Sequence, residues 1–185
     1  TGCPAGIRRP RCGKALWPGC GLARQLAIGP PSPWWAADAG RSEMDIEIHP
    51  ATANRFDDVT IMLGPKNLSS SVCWCLSHRV DARTNRSLVG PARGEYVRAL
   101  CELPVAPGVL AYADGAVAGW AAVAPRGQLP FERSTKIPHA DDLPVWSVWC
   151  IRVRPGYRRK GISHALLRGA VEYARSQGAP AIEGY

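Results

Sequence analysis

Residues 145–163 read VWSVWCIRVRPGYRRKGIS, and the fold turns on how that stretch divides. From Val145 to Ile151 it is almost continuously apolar, as in a strand buried on both faces. Pro155 and Gly156 break the run. Three cations follow, Arg158, Arg159 and Lys160, and Gly161 opens a helix. In that helix Ile162, Ala165, Leu166, Ala170 and Tyr173 form one apolar stripe, while Arg168, Glu172 and Arg175 share another face at ion-pair spacing. The order is buried strand, basic turn, amphipathic helix.

That order suits an anion. A helix start leaves backbone N–H groups unpaired and carries the positive end of the helix dipole. A phosphate binds there without further chemistry. Gly161 has no Cβ and admits close backbone approach, Ser163 is small and hydroxylated, and the three cations surround the turn. A nucleoside triphosphate is a poor fit. The segment Gly156 to Ser163 nearly matches G-x-x-x-x-G-K-[ST], but Ile162 stands where the lysine is required. The dinucleotide pattern G-x-G-x-x-G is also absent.

Working outward, 109-VLAYADGAVAGWAAVA-124 reads as a hairpin turning at Asp114-Gly115. The segment 92-ARGEYVRALCEL-103 reads as a helix with Tyr96, Val97, Leu100, Cys101 and Leu103 on its apolar face and Pro104 ending it. Residues 44–63 read as a strand at Ile46 and Ile48, then a helix capped by Thr52 with Phe56, Val59, Ile61, Met62 and Leu63 inward. Residues 64–91 and 125–144 read as loops. After the last helix, Gly178 suits the C′ position, and Ala181-Ile182 begins another strand.

Composition separates one end from the rest. Residues 1–43 hold seven Gly, six Pro and no regular period, and six Lys/Arg against two Asp/Glu, half of the chain's net charge of +8. They read as a disordered or non-native extension. Residues 44–185 read as the folded part, with Met44 as its natural start and the strand after Pro180 cut short. No apolar run reaches the length of a membrane span, and no secretory leader is evident. A cytoplasmic protein with reduced thiols is therefore expected.

The run Arg158-x-x-Gly161-x-Ser163 after Val153-x-Pro155 resembles the acyl-CoA signature of the GNAT superfamily of N-acetyltransferases, R/Q-x-x-G-x-G/A, with Ser163 in the last place. The element order from about Asp45 onward is similar too. The resemblance implies an α/β (α+β) fold, a mixed, mostly antiparallel sheet flanked by helices, incomplete at its C-terminus. It implies acetyl-CoA as co-substrate, lying where the strand before the turn splays from the next. The backbone of Ile151 and Val153 would pair with the pantetheine arm, a strand N–H near Ile151 would polarise the thioester carbonyl, and the N–H groups of Arg158, Arg159, Lys160, Gly161, Ile162 and Ser163 would hold the pyrophosphate. The implied reaction is direct attack by a primary amine of a small molecule or peptide, with no covalent acyl-enzyme. The tyrosine that in this family protonates the thiolate belongs to a later helix, and Tyr185 is not assigned that role. Glu102 and Glu183 are available carboxylates that spacing does not distinguish. A truncated chain is expected to be weakened or inactive.

Several residues have plainer readings. Arg152 through Lys160 are also the phosphate contacts of a basic nucleic-acid-binding module, the alternative function, though interleaved aromatics are missing and nucleic acid is not expected. Cys73-Trp74-Cys75 with His78 is a poor zinc spacing, so buried free thiols and no metal are expected. Cys150 reads as a small core residue, Trp74 and Trp120 as core packing, and Trp146 and Trp149, of opposite parity, as burial on two faces.

Overall fold

A computed structural model describes residues 14–16, 44–67, 72–133 and 142–185. The strands are β1 (Lys14–Leu16), β2 (Ile46–Pro50), β3 (Gly108–Ala113), β4 (Ala116–Pro125), β5 (Trp146–Val153) and β6 (Ala181–Gly184). The helices are α1 (Phe56–Leu63), α2 (Ala82–Ser87), α3 (Pro91–Cys101) and α4 (Ile162–Ser176). One sheet runs β1-β6-β5-β4-β3-β2. Every neighbouring pair is antiparallel except β5 and β6. The expected mixed, mostly antiparallel sheet with flanking helices is the observed one. Of residues 1–43 only Lys14–Leu16 is described, as an edge strand against β6; the expectation for the others lies outside the described residues.

Two apolar clusters fill the two faces. On one, Ile162, Leu166, Ala170 and Tyr173 of α4 meet Val109, Val123, Trp146, Val148 and Ile182. The Tyr173 hydroxyl accepts the Ala106 N–H at 2.7 Å. On the other, α1 and α3 bring Phe56, Val59, Leu63, Val97 and Cys101 onto Leu110, Val117 and Trp120. The β3–β4 hairpin turns at Asp114 (φ 50°) and Gly115 (φ 77°), the left-handed pair that a two-residue turn of this kind requires. The α4 C-terminus closes as a Schellman motif, Gly178 N–H to Arg175 O at 2.9 Å and Ala179 N–H to Ala174 O at 3.0 Å.

Three readings are corrected. The segment 64–91 contains α2, whose side chains are all at least partly exposed. No apolar period could betray it; it is held by the Asp81 cap, which accepts the Arg83 and Thr84 N–H groups at 2.8 and 2.9 Å. Arg93 of α3 fastens it further, donating to the carbonyls of Asn85 and Leu88 at 3.0 and 2.9 Å. Ile61 and Leu103, assigned to apolar faces, are 57% and 52% exposed. Most relevant to function, β5 is buried on both faces only through Val148; Ile151 and Arg152 are exposed.

Candidate functional site

The loss of burial along β5 has a structural cause. β6 pairs with β5 only at Trp146↔Ile182, Ser147↔Glu183 and Val148↔Gly184. At that point β5 also bulges against β4, where the register jumps from Val123↔Val148 to Ala122↔Cys150 and leaves Trp149 over. One extra residue bends a strand and increases its twist. From Trp149 to Val153 the β6 side of β5 has no strand partner among the described residues. Arg154 N–H bonds to Ala118 O at 2.9 Å, on the β4 side. Main-chain groups alternate along a strand, so Ile151 and Val153 turn theirs to the free edge.

The turn after β5 is built to face its amides outward. Pro155–Tyr157 is a single 3₁₀ turn, with Tyr157 N–H on Arg154 O at 2.9 Å. Arg159 (φ 61°) and Gly161 (φ 82°) are both left-handed. A Cβ on Gly161 would meet no atom within 4 Å, so its positive φ is what calls for glycine within the chain. The first helical bond of α4 is Ala165 N–H to Gly161 O at 3.0 Å. The amides of Arg159 through His164 therefore have no acceptor among the described residues. Successive unpaired N–H groups in such a turn form an anion-binding concavity.

The eight expected residues follow one another along this stretch, Ile151 and Val153 on the free edge and Arg158 through Ser163 on the adjoining turn; the Arg158 N–H, expected among the pyrophosphate donors, is instead bonded to Pro155 O at 3.4 Å. Their contributions differ. Arg158, Arg159, Lys160 and Ser163 are exposed, whereas Ile162 is 1% exposed and offers only its N–H. Its side chain anchors α4 in the core, which holds the turn in register with β5. A separate recess of about 1010 Å³ lies between α4 and β2, lined by Met44, Ile46, Ile48, His164, Arg168 and Glu172 among others. It touches Gly161 but runs along β2, at the far side of the sheet from β6.

On the sheet face away from α4 stands a polar group that sequence reasoning did not distinguish. Glu183 is 2% exposed. Its Oε1 accepts the hydroxyls of Ser147 and Tyr185, each at 3.0 Å. Its Oε2 meets the buried Arg126 guanidinium at 3.5 Å, and Arg126 Nε lies 3.7 Å from Glu132. These residues come from four separate segments, so no local spacing could announce them. Glu102, the other carboxylate considered, is exposed at the end of α3.

The sheet face opposite α4 is held by the loop before α2. Cys75 and Cys150 form a disulfide, contrary to the expected free thiols. Trp74 and Cys75, both at positive φ, fold this loop inward so that Cys75 reaches β5. Cys73 and Cys101 are the free cysteines among the described residues. Burial pushes the Cys101 thiol up to about 11. Arg79 donates to Pro107 O at 2.8 Å and lies over the Trp149 ring at 4.9 Å; burial draws its guanidinium down to about 10. Trp74 stacks on Phe56 at 6.2 Å and Trp120 is 2% exposed, so both pack the core. Among the described residues no three His, Cys, Asp or Glu gather as a metal site, and no helix is long and apolar enough to cross a membrane.

A model of the acetyltransferase (GNAT) family matches residues 79–183, more than half of the chain. The chain belongs to the acetyltransferase (GNAT) family. The match takes in β3, β4, β5, the turn at Gly161, α4 and all but the last residue of β6. Among solved structures, the aminoglycoside N-acetyltransferase AAC(6')-Iy in complex with CoA is similar at 15% identity and a TM-score of 0.52, covering 79% of each chain. That likeness supports the GNAT fold. Diaminobutyrate acetyltransferase EctA from Paenibacillus lautus, in complex with L-2,4-diaminobutyric acid and coenzyme A, matches at 18% identity and a TM-score of 0.43, over 76% of this chain and 65% of that one. Aminoglycoside 6'-N-acetyltransferase AAC(6')-IG from Acinetobacter haemolyticus matches at 18% and 0.44, over 75% and 78%. No curated protein matches the chain.

Proposed function

We propose that this GNAT protein transfers an acetyl group from acetyl-CoA to a primary amine of a small molecule or peptide, by direct attack within a ternary complex. The observation that carries this reading is the juxtaposition of two sets of unpaired backbone groups. Ile151 and Val153 face an open strand edge, and six consecutive amides from Arg159 to His164 face outward beside it. The edge suits the amide-bearing pantetheine arm, which can add to β5 as a strand would. The turn suits the pyrophosphate, with the cations of Arg158, Arg159 and Lys160 around it. A main-chain N–H near Ile151 is fixed before the reaction and can stabilise charge that develops on the thioester oxygen. The aminoglycoside named for the similar structure AAC(6')-Iy is an amine, in keeping with an amine acceptor.

The test is thermal unfolding with and without acetyl-CoA, with ATP and a short RNA as controls. A ligand that binds only the folded chain raises the midpoint. The expected result is a shift with acetyl-CoA alone, followed by thiol release on adding L-2,4-diaminobutyrate, sisomicin, butylamine or a lysine peptide. A cooperative transition that acetyl-CoA leaves in place overturns the reading. A shift with RNA that vanishes as salt rises points to phosphate binding by the basic turn instead.

A further inference from the structure

We propose that the Cys75–Cys150 disulfide is a covalent capture site for coenzyme A: the free thiol left by acetyl transfer opens it and forms a mixed disulfide with Cys150. The proposal rests on the acetyl-CoA reading above. Its basis is the place of Cys150 on β5. Arg154 N–H bonds to Ala118 O on the β4 side at 2.9 Å. Main-chain groups alternate along a strand, so those of Cys150 also turn to β4, where it stands opposite Ala122. Toward the free edge Cys150 is then a position without hydrogen bonds, and its neighbour Ile151 is the one that offers them. Antiparallel chains approach closest across such a position, with Cα atoms about 4.5 Å apart. That falls inside the Cα separation of about 4.4–6.8 Å that a disulfide spans. An arm that adds to the edge at Ile151 therefore brings the group it carries opposite Cys150 within bonding reach of Sγ. The arm of coenzyme A ends in sulfur, and loss of the acetyl group makes that sulfur a thiol.

The two cysteines differ in access. Cys75 is buried in the loop before α2, whereas Cys150 is half-buried and borders the edge. Attack is therefore assigned to Cys150 Sγ, with Cys75 as the leaving group. The CoA thiol loses its proton, and the thiolate forms a new S–S bond with Cys150 Sγ. The Cys75–Cys150 bond breaks with its electron pair on Cys75 Sγ, which takes up the proton. The sum is CoA thiol plus protein disulfide to CoA–Cys150 mixed disulfide plus Cys75 thiol. One S–S bond replaces another, so the protein's own disulfide is the oxidant and no other is needed. Attack by Cys75 on Cys150 Sγ reverses the step and releases CoA. Acetyl-CoA has no free thiol and cannot react. The adduct fills the acetyl-CoA edge and unties the loop from β5, so the oxidised enzyme is stopped by its own product and the reduced enzyme is not.

The experiment uses the oxidised full chain, as wild type, Gly161→Val and Cys75→Ser, each also scanned thermally with acetyl-CoA. Wild type and Gly161→Val are mixed with CoA or with N-acetylcysteamine, which carries the same thiol end without the phosphates. N-ethylmaleimide stops the exchange, and peptide mass spectrometry locates the adducts. Wild type should carry CoA on Cys150 and the alkyl group on Cys75. It should react with CoA at least about tenfold faster than with N-acetylcysteamine, because binding places the thiol. Added acetyl-CoA should remove that preference by occupying the edge, and Gly161→Val should lack it. Cys75→Ser has no thiol at position 75 to expel the adduct. Given CoA disulfide, it should hold CoA on Cys150 until dithiothreitol is added, and it carries the test where re-closure in wild type outruns alkylation. The proposal is overturned if acetyl-CoA shifts the wild-type midpoint while both thiols open the disulfide at one rate. It is equally overturned if CoA maps to Cys73 or Cys75, or if Cys150 carries no CoA in either wild type or Cys75→Ser. A wild type without an acetyl-CoA shift removes the acetyltransferase reading and this proposal with it.

Discussion

Cys75 and Cys150, 75 residues apart in sequence with Cα atoms 6.7 Å apart, tie the loop before α2 to the strand that carries the free edge. Cys150 is the immediate neighbour of Ile151. The link therefore joins that loop to the free edge of β5. Closing so long a loop removes entropy from the unfolded chain, about 4 kcal/mol in the chain-entropy model. Reduction should lower Tm by roughly 10 °C for a chain of this size. Alkylation mass spectrometry with and without reductant, beside thermal scans of wild type and Cys75→Ser, checks this. An equal Tm in both redox states would show that the link adds no stability.

Gly161→Val separates binding from folding. A Cβ there would meet no atom within 4 Å beyond its chain neighbours, so the main cost to the fold should be that of a branched residue at φ 82°, about 1–3 kcal/mol. The acetyl-CoA thermal shift should vanish, because the turn would open or its amides would rotate. A variant that melts earlier yet shifts as far as wild type would refute the cradle.

Gly169→Ala probes the seat of α4. An added Cβ would lie 2.3 Å from Ile48 Cγ2 on β2. Overpacking of this kind costs about 1–3 kcal/mol. Urea unfolding should show that loss with an unchanged slope. Because β2 is remote from β6, the acetyl-CoA shift should persist.

Alkaline stability should depend on Tyr112. Burial, and next its 2.5 Å hydrogen bond to Asp58, push its phenol up to about 12. An unfolded tyrosine ionises near pH 10. Below that pH both states are protonated and the contribution is complete. Between about 10 and 12 the unfolded chain releases a proton that the folded chain keeps, so stability falls as pH rises. Urea midpoints from pH 9 to 11.5 should decline less steeply in Tyr112→Phe than in wild type.

The basic turn was legible because its conformation is local. A left-handed glycine, a helix start and three cations are contiguous at 158–161, and a strand must precede them for the turn to be held. The hairpin at Asp114-Gly115 and the helix stop at Gly178 were legible for the same reason: one residue type meets one backbone requirement. α2 was not, since its stability comes from Asp81 and Arg93 rather than from an apolar stripe. The inward face expected of Ile61 failed because a helical period defines a stripe but not its width.

Sequence alone determined β5, the basic turn and α4 in their order, because backbone conformation at Gly161 and the apolar period of α4 depend on near neighbours. Tertiary structure decided where β5 loses its partner, which cysteines meet and which carboxylate is buried. Each of these depends on register between distant segments: a bulge at Trp149 opens the edge, an inward loop brings Cys75 to Cys150, and the pairing of Ser147 with Glu183 brings Arg126 and Tyr185 to one carboxylate. Residues that are strangers along the chain become one polar site only when the sheet sets them side by side, since hydrogen bonds and ion pairs act over a few ångströms of space and not over sequence.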